Sequence, residues 1–364
     1  MAGSQRPGAA APSPRNLDNV NLVSVPPLNS PSPVFTRGRL AALTVAVMFT
    51  AALLRAPIIA VAPVAGTIGS DLGVSAAVVG LLTSIPVLAF AICSPIAVWV
   101  IRRGGIDFAL SLCLAGAIVG CLIRSAGGLP AALIGTAVIG LFLTIGNVVV
   151  PIIIAREFPR ERAHFMTGVY TSAINIGTMT VTFATAPLAE QIGWRGAIVV
   201  WAGFGVVALA VWIGLHGLRG ALAPRPGSAS VPRGEAPPSV MRSASTWLLG
   251  AAFAGQAFSF YGVTAWLPSL LEDEGFPTAA AGAIAAIFQV TGIAGALLVP
   301  ILTTRVSILS GVLFVAVGWL AIPIGFAVDP DLWWLWCAVS GVAQGGGLTV
   351  VFIMIGALGG GPDT

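Results

Sequence analysis

The sequence predicts an all-α polytopic membrane protein made of two helical bundles that run in the same direction. Three observations carry this expectation. The 364 residues are 57% hydrophobic and 8% charged, with a mean hydropathy of +0.98, whereas a soluble domain carries about 25% charged residues. Ten apolar segments of membrane-spanning length follow one another, most of them separated by short polar turns. Finally, an offset of 202 residues lays Gly73-Val-Ser-Ala-Ala-Val-Val-Gly80 on Gly275-Phe-Pro-Thr-Ala-Ala-Ala-Gly282, Ile85 on Ile287 and Arg103 on Arg305. Nearly the same shift sets Gly140 and Gly146 on Gly341 and Gly347. A repeat running in one direction places its axis along the membrane normal.

Residues 1–36 are rich in Pro, Ser, Ala and Gly and hold no apolar core of signal-peptide length, so they read as a disordered cytoplasmic tail. Residues 37–216 make a first six-helix bundle, with segments at about 40–64, 76–101, 107–126, 130–155, 164–188 and 195–216. The first is broken by Arg55, Pro57 and Pro63. The second carries Ser84-Ile-Pro86 as a bending point and ends on Arg102-Arg103-Gly104-Gly105, while the third and sixth hold almost no polar groups. The fourth carries Gly146-Asn-Val-Val-Val-Pro151 and the fifth Tyr170-Thr-Ser-Ala-Ile-Asn-Ile-Gly177. Residues 217–245, Gly/Ala/Pro/Arg-rich and aperiodic, read as a flexible cytoplasmic linker. Residues 246–364 form a second bundle with segments at about 246–271, 278–303, 306–328 and 332–358. If this half copies the first, it lacks two segments, and the sequence is expected to be truncated.

Charge sets the orientation and excludes other classes. All 17 basic residues are Arg, against 13 acids. With the N-terminus in the cytoplasm, 14 of these Arg fall on inner segments, whereas only Arg124 and Arg195 fall on outer loops. Scattered singly between apolar runs, the Arg residues form no nucleic-acid face. Cys93, Cys113, Cys121 and Cys337 lie inside apolar segments without metal or redox spacing, and His164 and His216 stand alone at segment ends. Neither a metal site nor a cofactor is expected.

Arg55 is the organising residue. It lies 16 residues from both Arg39 and Asp71, roughly 24 Å from either flank at 1.5 Å per helical residue. A guanidinium at mid-membrane costs at least about 2.5 kcal/mol and stays charged. Arg55 is therefore expected to face a polar cavity and meet an anion or an oxygen-rich ligand there. Pro57 and Pro63 each remove a backbone donor beside it. The other polar groups within spans are Asn147, Tyr170, Asn175, Gln256, Ser259, Tyr261, Trp266, Gln289 and Gln344. Each serves either as interhelical glue, worth about 0.6 kcal/mol per pair, or as a ligand contact. Gly341, Gly345, Gly346 and Gly347, with Gly282, Gly292 and Gly295, permit close helix contacts. Arg102, Arg103 and Arg305 serve as topology anchors or pair with acids across the interface between halves.

Several stretches resemble the cyanate and 2-nitroimidazole transporter family, a branch of the major facilitator superfamily. They are Leu54-Arg-Ala-Pro-Ile-Ile-Ala-Val-Ala-Pro63, Gly80-Leu-Leu-Thr-Ser-Ile-Pro86, Ser94-Pro95, Gly146-Asn-Val-Val-Val-Pro151 and Arg156-Glu-Phe-Pro159. Met166-Thr-Gly-Val-Tyr170, Trp194-Arg-Gly196, Ala265-Trp-Leu-Pro268 and Phe288-Gln289 extend the likeness over about residues 40–358. The resemblance implies a twelve-helix, two-bundle transporter, of which ten helices are present, working by alternating access. It makes Arg55, Asn147, Tyr170, Asn175, Gln256, Tyr261, Trp266, Gln289 and Gln344 the expected substrate-binding set. One departure touches gating: the superfamily's usual motif has an Asp before its Arg pair, and here Ile101 precedes Arg102.

The expected function is secondary active or facilitative transport of a small anionic or polar organic solute by a monomer in the inner membrane. The rival reading is a drug or metabolite efflux permease of the same superfamily. Proton coupling stays open, because no Asp, Glu or His lies within a span. A membrane-embedded enzyme lacks an acid or His set beside a nucleophile, as Glu272-Asp273-Glu274 stands without a basic neighbour. A sensor lacks an output domain.

Overall fold

The computed structural model describes residues 37–225 and 243–359, and all regular structure among them is helical. The tail at 1–36 and most of the linker lie outside the described residues. Apolar chain that must satisfy its own amides leaves few alternatives to helix. The helices are α1 Arg37–Leu53, α2 Ala56–Ile59, α3 Ala65–Leu72, α4 Ala76–Ile92, α5 Ser94–Gly104, α6 Ile106–Ser125, α7 Leu129–Glu157 and α8 Arg160–Val200. They continue as α9 Ala202–His216, α10 Leu218–Leu222, α11 Ala244–Asp273, α12 Thr278–Arg305, α13 Ile308–Trp319, α14 Ala321–Val328 and α15 Trp333–Gly359.

Seven helical stretches among the described residues are long and apolar enough to cross a membrane, or up to nine if each of two bent pairs counts as one span. One of the seven, Phe165–His216, is 52 residues long, roughly 78 Å at 1.5 Å per residue and more than twice a bilayer core. It breaks at Gly193, whose φ of +74° only glycine adopts freely. That is where the sequence separates the fifth segment from the sixth. The second span bends by 60° between α4 and α5. Its bend falls at Cys93, just before Pro95 at the start of α5, rather than at Pro86, which lies inside α4. A proline ring crowds the carbonyl four residues back, here that of Ala91, and one position earlier Ser94 Oγ donates to the Phe90 carbonyl at 2.5 Å. The predicted linker begins as the short helix α10, and the amide of Arg225 donates to the Gly104 carbonyl at 2.9 Å.

The internal repeat is visible in the contacts. Gly73 and Gly275, related by the 202-residue offset, both follow the first span of their half with positive φ, +63° and +94°. A Cβ on Gly140 would press on Pro86 and Ala89, and one on Gly341 would press on the related residues Phe288 and Thr291. In the same way Gly146 abuts Leu54, and Gly347 abuts Gln256, the residue related to Leu54. The halves differ in how their first spans are covered. α1 packs on α8 and α9, and 72% of the apolar window of its span is buried. α11 packs on α12 and α15, and only 6% of its window is buried.

The two ends of the first bundle are tied differently. At the arginine-rich end, Arg39 Nη2 reaches Glu157 at 3.1 Å, while Arg156 binds Asp107 and, at 2.8 Å, Glu157. His216 stacks on Trp212 beside this cluster, with ring centroids 4.1 Å apart. At the other end Arg195 Nη1 meets Asp71 at 2.7 Å and Trp194 Nε1 donates to Asp71 at 3.2 Å. The side chains of that ion pair are 37% and 43% exposed, so solvent screens it. Asp71→Asn is accordingly expected to leave the thermal midpoint of the detergent-purified protein almost unchanged.

Candidate functional site

The break in the first span puts Arg55 between α1 and α2. Pro57 has no N–H for the Leu53 carbonyl and Pro63 none for that of Ile59, so the chain passes from α2 through a 3-10 turn at Ala62–Val64 before α3 resumes. From this break the guanidinium reaches inward, with its Cζ 5.8 Å from the ring centroid of Phe90 on α4 and 5.4 Å from that of Tyr261 on α11. Its Nη1 is buried without a hydrogen-bond partner. Among the described residues Arg55 makes no ion pair.

Arg55 lines a cavity between the halves, walled by α8, α11 and α15. The cavity volume is about 50 Å³. By that measure one water needs about 10–15 Å³, so the room suits a few waters or a solute of a few heavy atoms. Asn175 on α8 is fully buried, and both its amide atoms lack partners, as do Tyr261 Oη and Gln344 Oε1. Gly292 on α12 makes the space for this pair of amides, since a Cβ there would press on Gln344 Oε1 and lie 3.4 Å from the Asn175 amide. Gln256 is different. Its Nε2 donates to the Gln344 carbonyl at 2.9 Å, and its Oε1 accepts from Trp319 Nε1 at 2.7 Å. Gln256 is therefore a brace of the wall. Gln256→Leu is expected to cost about 1 kcal/mol or more, because it orphans a half-buried indole N–H, and thermal melting of the purified variant checks this.

A smaller cavity of about 10 Å³ adjoins Gln289, Thr182 and Thr264. Gln289 Nε2 donates to Thr264 Oγ1 at 3.4 Å, and its Oε1 has no partner. Thr171, Asn175, Thr178 and Thr182 recur at helical spacing along one face of α8, and Thr171 and Asn175 line the larger cavity while Thr182 lines the smaller. The rise from Asn175 to Thr182 is about 10 Å.

Of the expected set, the structure brings Arg55, Asn175, Gln256, Tyr261 and Gln344 into one cavity and puts Gln289 in the next. Tyr170 packs into the apolar core of the first half. Asn147 is half-buried on α7 and lines neither cavity. Trp266 is 73% exposed on α11 and lines neither. Arg102, Arg103 and Arg305 sit exposed at helix ends, Arg103 with its Cζ 5.6 Å from the centroid of the Trp99 ring. Thr171 and Phe260 also line the cavity. Thr171 was legible in principle as the residue one turn before Asn175. His216 does not stand alone, because its ring nitrogen and the carboxylates of Asp107 and Glu157 lie within 4.8 Å of one another. Both carboxylates already hold arginines, which disfavours a metal there.

The sequence profile of the Major Facilitator Superfamily matches residues 42–360. The uncharacterized transporter YycB of Bacillus subtilis (strain 168) is 31% identical over 319 residues, which is 86% of this chain and 77% of that protein. The 2-nitroimidazole transporter of Escherichia coli (strain K12) is 30% identical over 319 residues, 86% of this chain and 79% of that one. Among solved structures, the xylose transporter XylE from E. coli in a partially occluded inward open conformation superposes with a TM-score of 0.63 at 14% identity, over 87% of each chain. That likeness speaks for the fold alone.

Proposed function

The chain belongs to the major facilitator superfamily of membrane transporters, and from that premise we propose that it moves a small anionic or polar organic solute by alternating access around Arg55. The observation that carries the proposal is the Arg55 guanidinium, held in a cavity between the halves with no acid beside it among the described residues. A half-buried cation without a counter-charge favours a ligand that brings one. Around it, Asn175, Tyr261 and Gln344 offer free donors and acceptors, and the rings of Phe90 and Tyr261 flank it. This combination suits a compact, planar or linear solute such as cyanate or a nitroimidazole, the latter being what the E. coli relative's name states. Among the described residues no Asp, Glu or His lines the cavity, and facilitated diffusion or exchange is a mode that uses no carboxylate relay. The arginine asymmetry supports an N-terminus in the cytoplasm.

The test is a thermal-shift screen of the detergent-purified protein with cyanate, nitrite, nitrate and 2-nitroimidazole, beside uncharged analogues of equal size. A ligand at 100 times its dissociation constant stabilises by about 2.7 kcal/mol. At least one of the four is expected to raise the melting temperature of the wild type and leave Arg55→Ala unmoved. Equal stabilisation of both proteins, or none by any of the four, contradicts the proposal.

A further inference from the structure

The sequence places Arg124 at the outer end of the third segment, where a lone arginine reads as a loop charge. The structure places it otherwise. Arg124 is the penultimate residue of α6, and its side chain is only 1% exposed. Its Nη1 donates to the Pro57 carbonyl at 2.5 Å. That carbonyl needs a donor, because the Val61 amide, which would serve it in a continuous helix, is not bonded to it. The base of the arginine is equally fixed. A Cβ on Gly135 of α7 would press on the backbone of Arg124, so α6 and α7 touch main chain to main chain at this point. Arg124 thus spans from a rigid helix pair to the short helix α2, whose N-cap is Arg55. Burying a guanidinium behind a single neutral acceptor, with Nε and Nη2 unpartnered, is a costly way to hold one carbonyl, and it points to a role beyond stability.

We propose that Arg124 is a positioning residue for the cavity, clamping the broken turn of the first span and thereby aiming Arg55. The inference rests on the function proposed above, and its test separates the two. Arg124→Met removes the donor while keeping an apolar stem, and Arg124→Lys restores charge and donor. The first arm needs no ligand. Amide hydrogen exchange of the full chain in detergent should quicken about tenfold or more across residues 54–64 in Arg124→Met, stay unchanged in α12 and α15, and return toward wild type in Arg124→Lys. The second arm measures uptake of labelled cyanate into vesicles, normalised to folded protein. In Arg124→Met, KM should rise about tenfold, the scale of one lost buried hydrogen bond, while the maximal rate stays within threefold. On an Arg55→Ala background the same change should shift residual cyanate affinity by less than twofold.

Unchanged exchange at 54–64, or a uniform rise along the whole chain, overturns the clamp. An unchanged KM with quickened exchange overturns the link to Arg55. Wild-type protein that neither binds nor moves cyanate or any other small anion instead overturns the proposed function, and the exchange arm still decides on the clamp. If Arg124→Met does not fold, Arg124→Gln, too short to reach Pro57, takes its place with the same expectations.

Discussion

Arg55→Ala is expected to weaken transport severely while leaving the protein folded. The loss should reach at least about 100-fold in apparent affinity, because truncating one partner of a buried charge contact costs about 2–5 kcal/mol. Stability should move the other way. With no acid paired to it, the guanidinium burdens the empty protein, so Arg55→Ala should melt at the same temperature or higher without ligand. That opposition of activity and stability is the signature of a functional charge. Arg55→Lys keeps the charge and loses the planar fork, and an intermediate loss of about tenfold is expected. Uptake into vesicles, with melting curves of the same preparations, measures both quantities. An Arg55→Ala protein that transports as well as wild type, or that unfolds, contradicts the assignment.

Gly345→Val is expected to disrupt the second half more than any change of polar residue. α12 and α15 meet through their backbones: a Cβ on Gly345 would overlap the Gly292 carbonyl, one on Gly295 the Val342 carbonyl, and one on Gly341 the Phe288 carbonyl. A carbonyl is not the yielding end of a side chain, so the helices must separate. Overpacking of a close core costs about 1–3 kcal/mol and occasionally more, and a β-branched residue against main chain belongs at the upper end. Separation also pulls Gln344 away from Asn175. The expected result is loss of the monodisperse peak in size-exclusion chromatography, or a fall in melting temperature equivalent to about 3 kcal/mol. Gly262→Ala on α11 is the control. Nothing lies within 4 Å of its Cβ position, and alanine's helix preference, up to about 1 kcal/mol, should leave that variant as stable as wild type or more so. A Gly345→Val protein that melts like wild type contradicts the close packing.

What the sequence revealed and what it hid divide along a physical line. Hydropathy and length locate the spans, because the bilayer imposes both. The repeat is readable because the glycines at helix contacts, such as Gly140 and Gly341, are set by backbone approach and tolerate little else. Arg55 is readable because a charge at mid-membrane is too costly to be incidental. Side-chain direction on apolar helices is another matter. With no solvent face to orient α11, sequence cannot tell that Tyr261 points inward while Trp266 points out. Gly282, grouped by spacing with Gly292 and Gly295, has open space around it. Pro86 and Pro95 look alike as bending points, yet only the latter bends the span. Arg124 was hidden for the same reason. At the end of an apolar run it reads as an outer-loop charge, and only its direction toward Pro57 shows its partner.

The central claim is that the cavity recognises a small anion through the Arg55 guanidinium. Its most direct test is a structure of the protein with selenocyanate, located by the anomalous scattering of selenium. The account predicts a selenium peak inside the cavity, within about one charge-assisted contact of Arg55, between Asn175 and Tyr261. A peak elsewhere with the cavity filled only by water, or an Arg55 side chain engaged by a carboxylate of the protein, would contradict it.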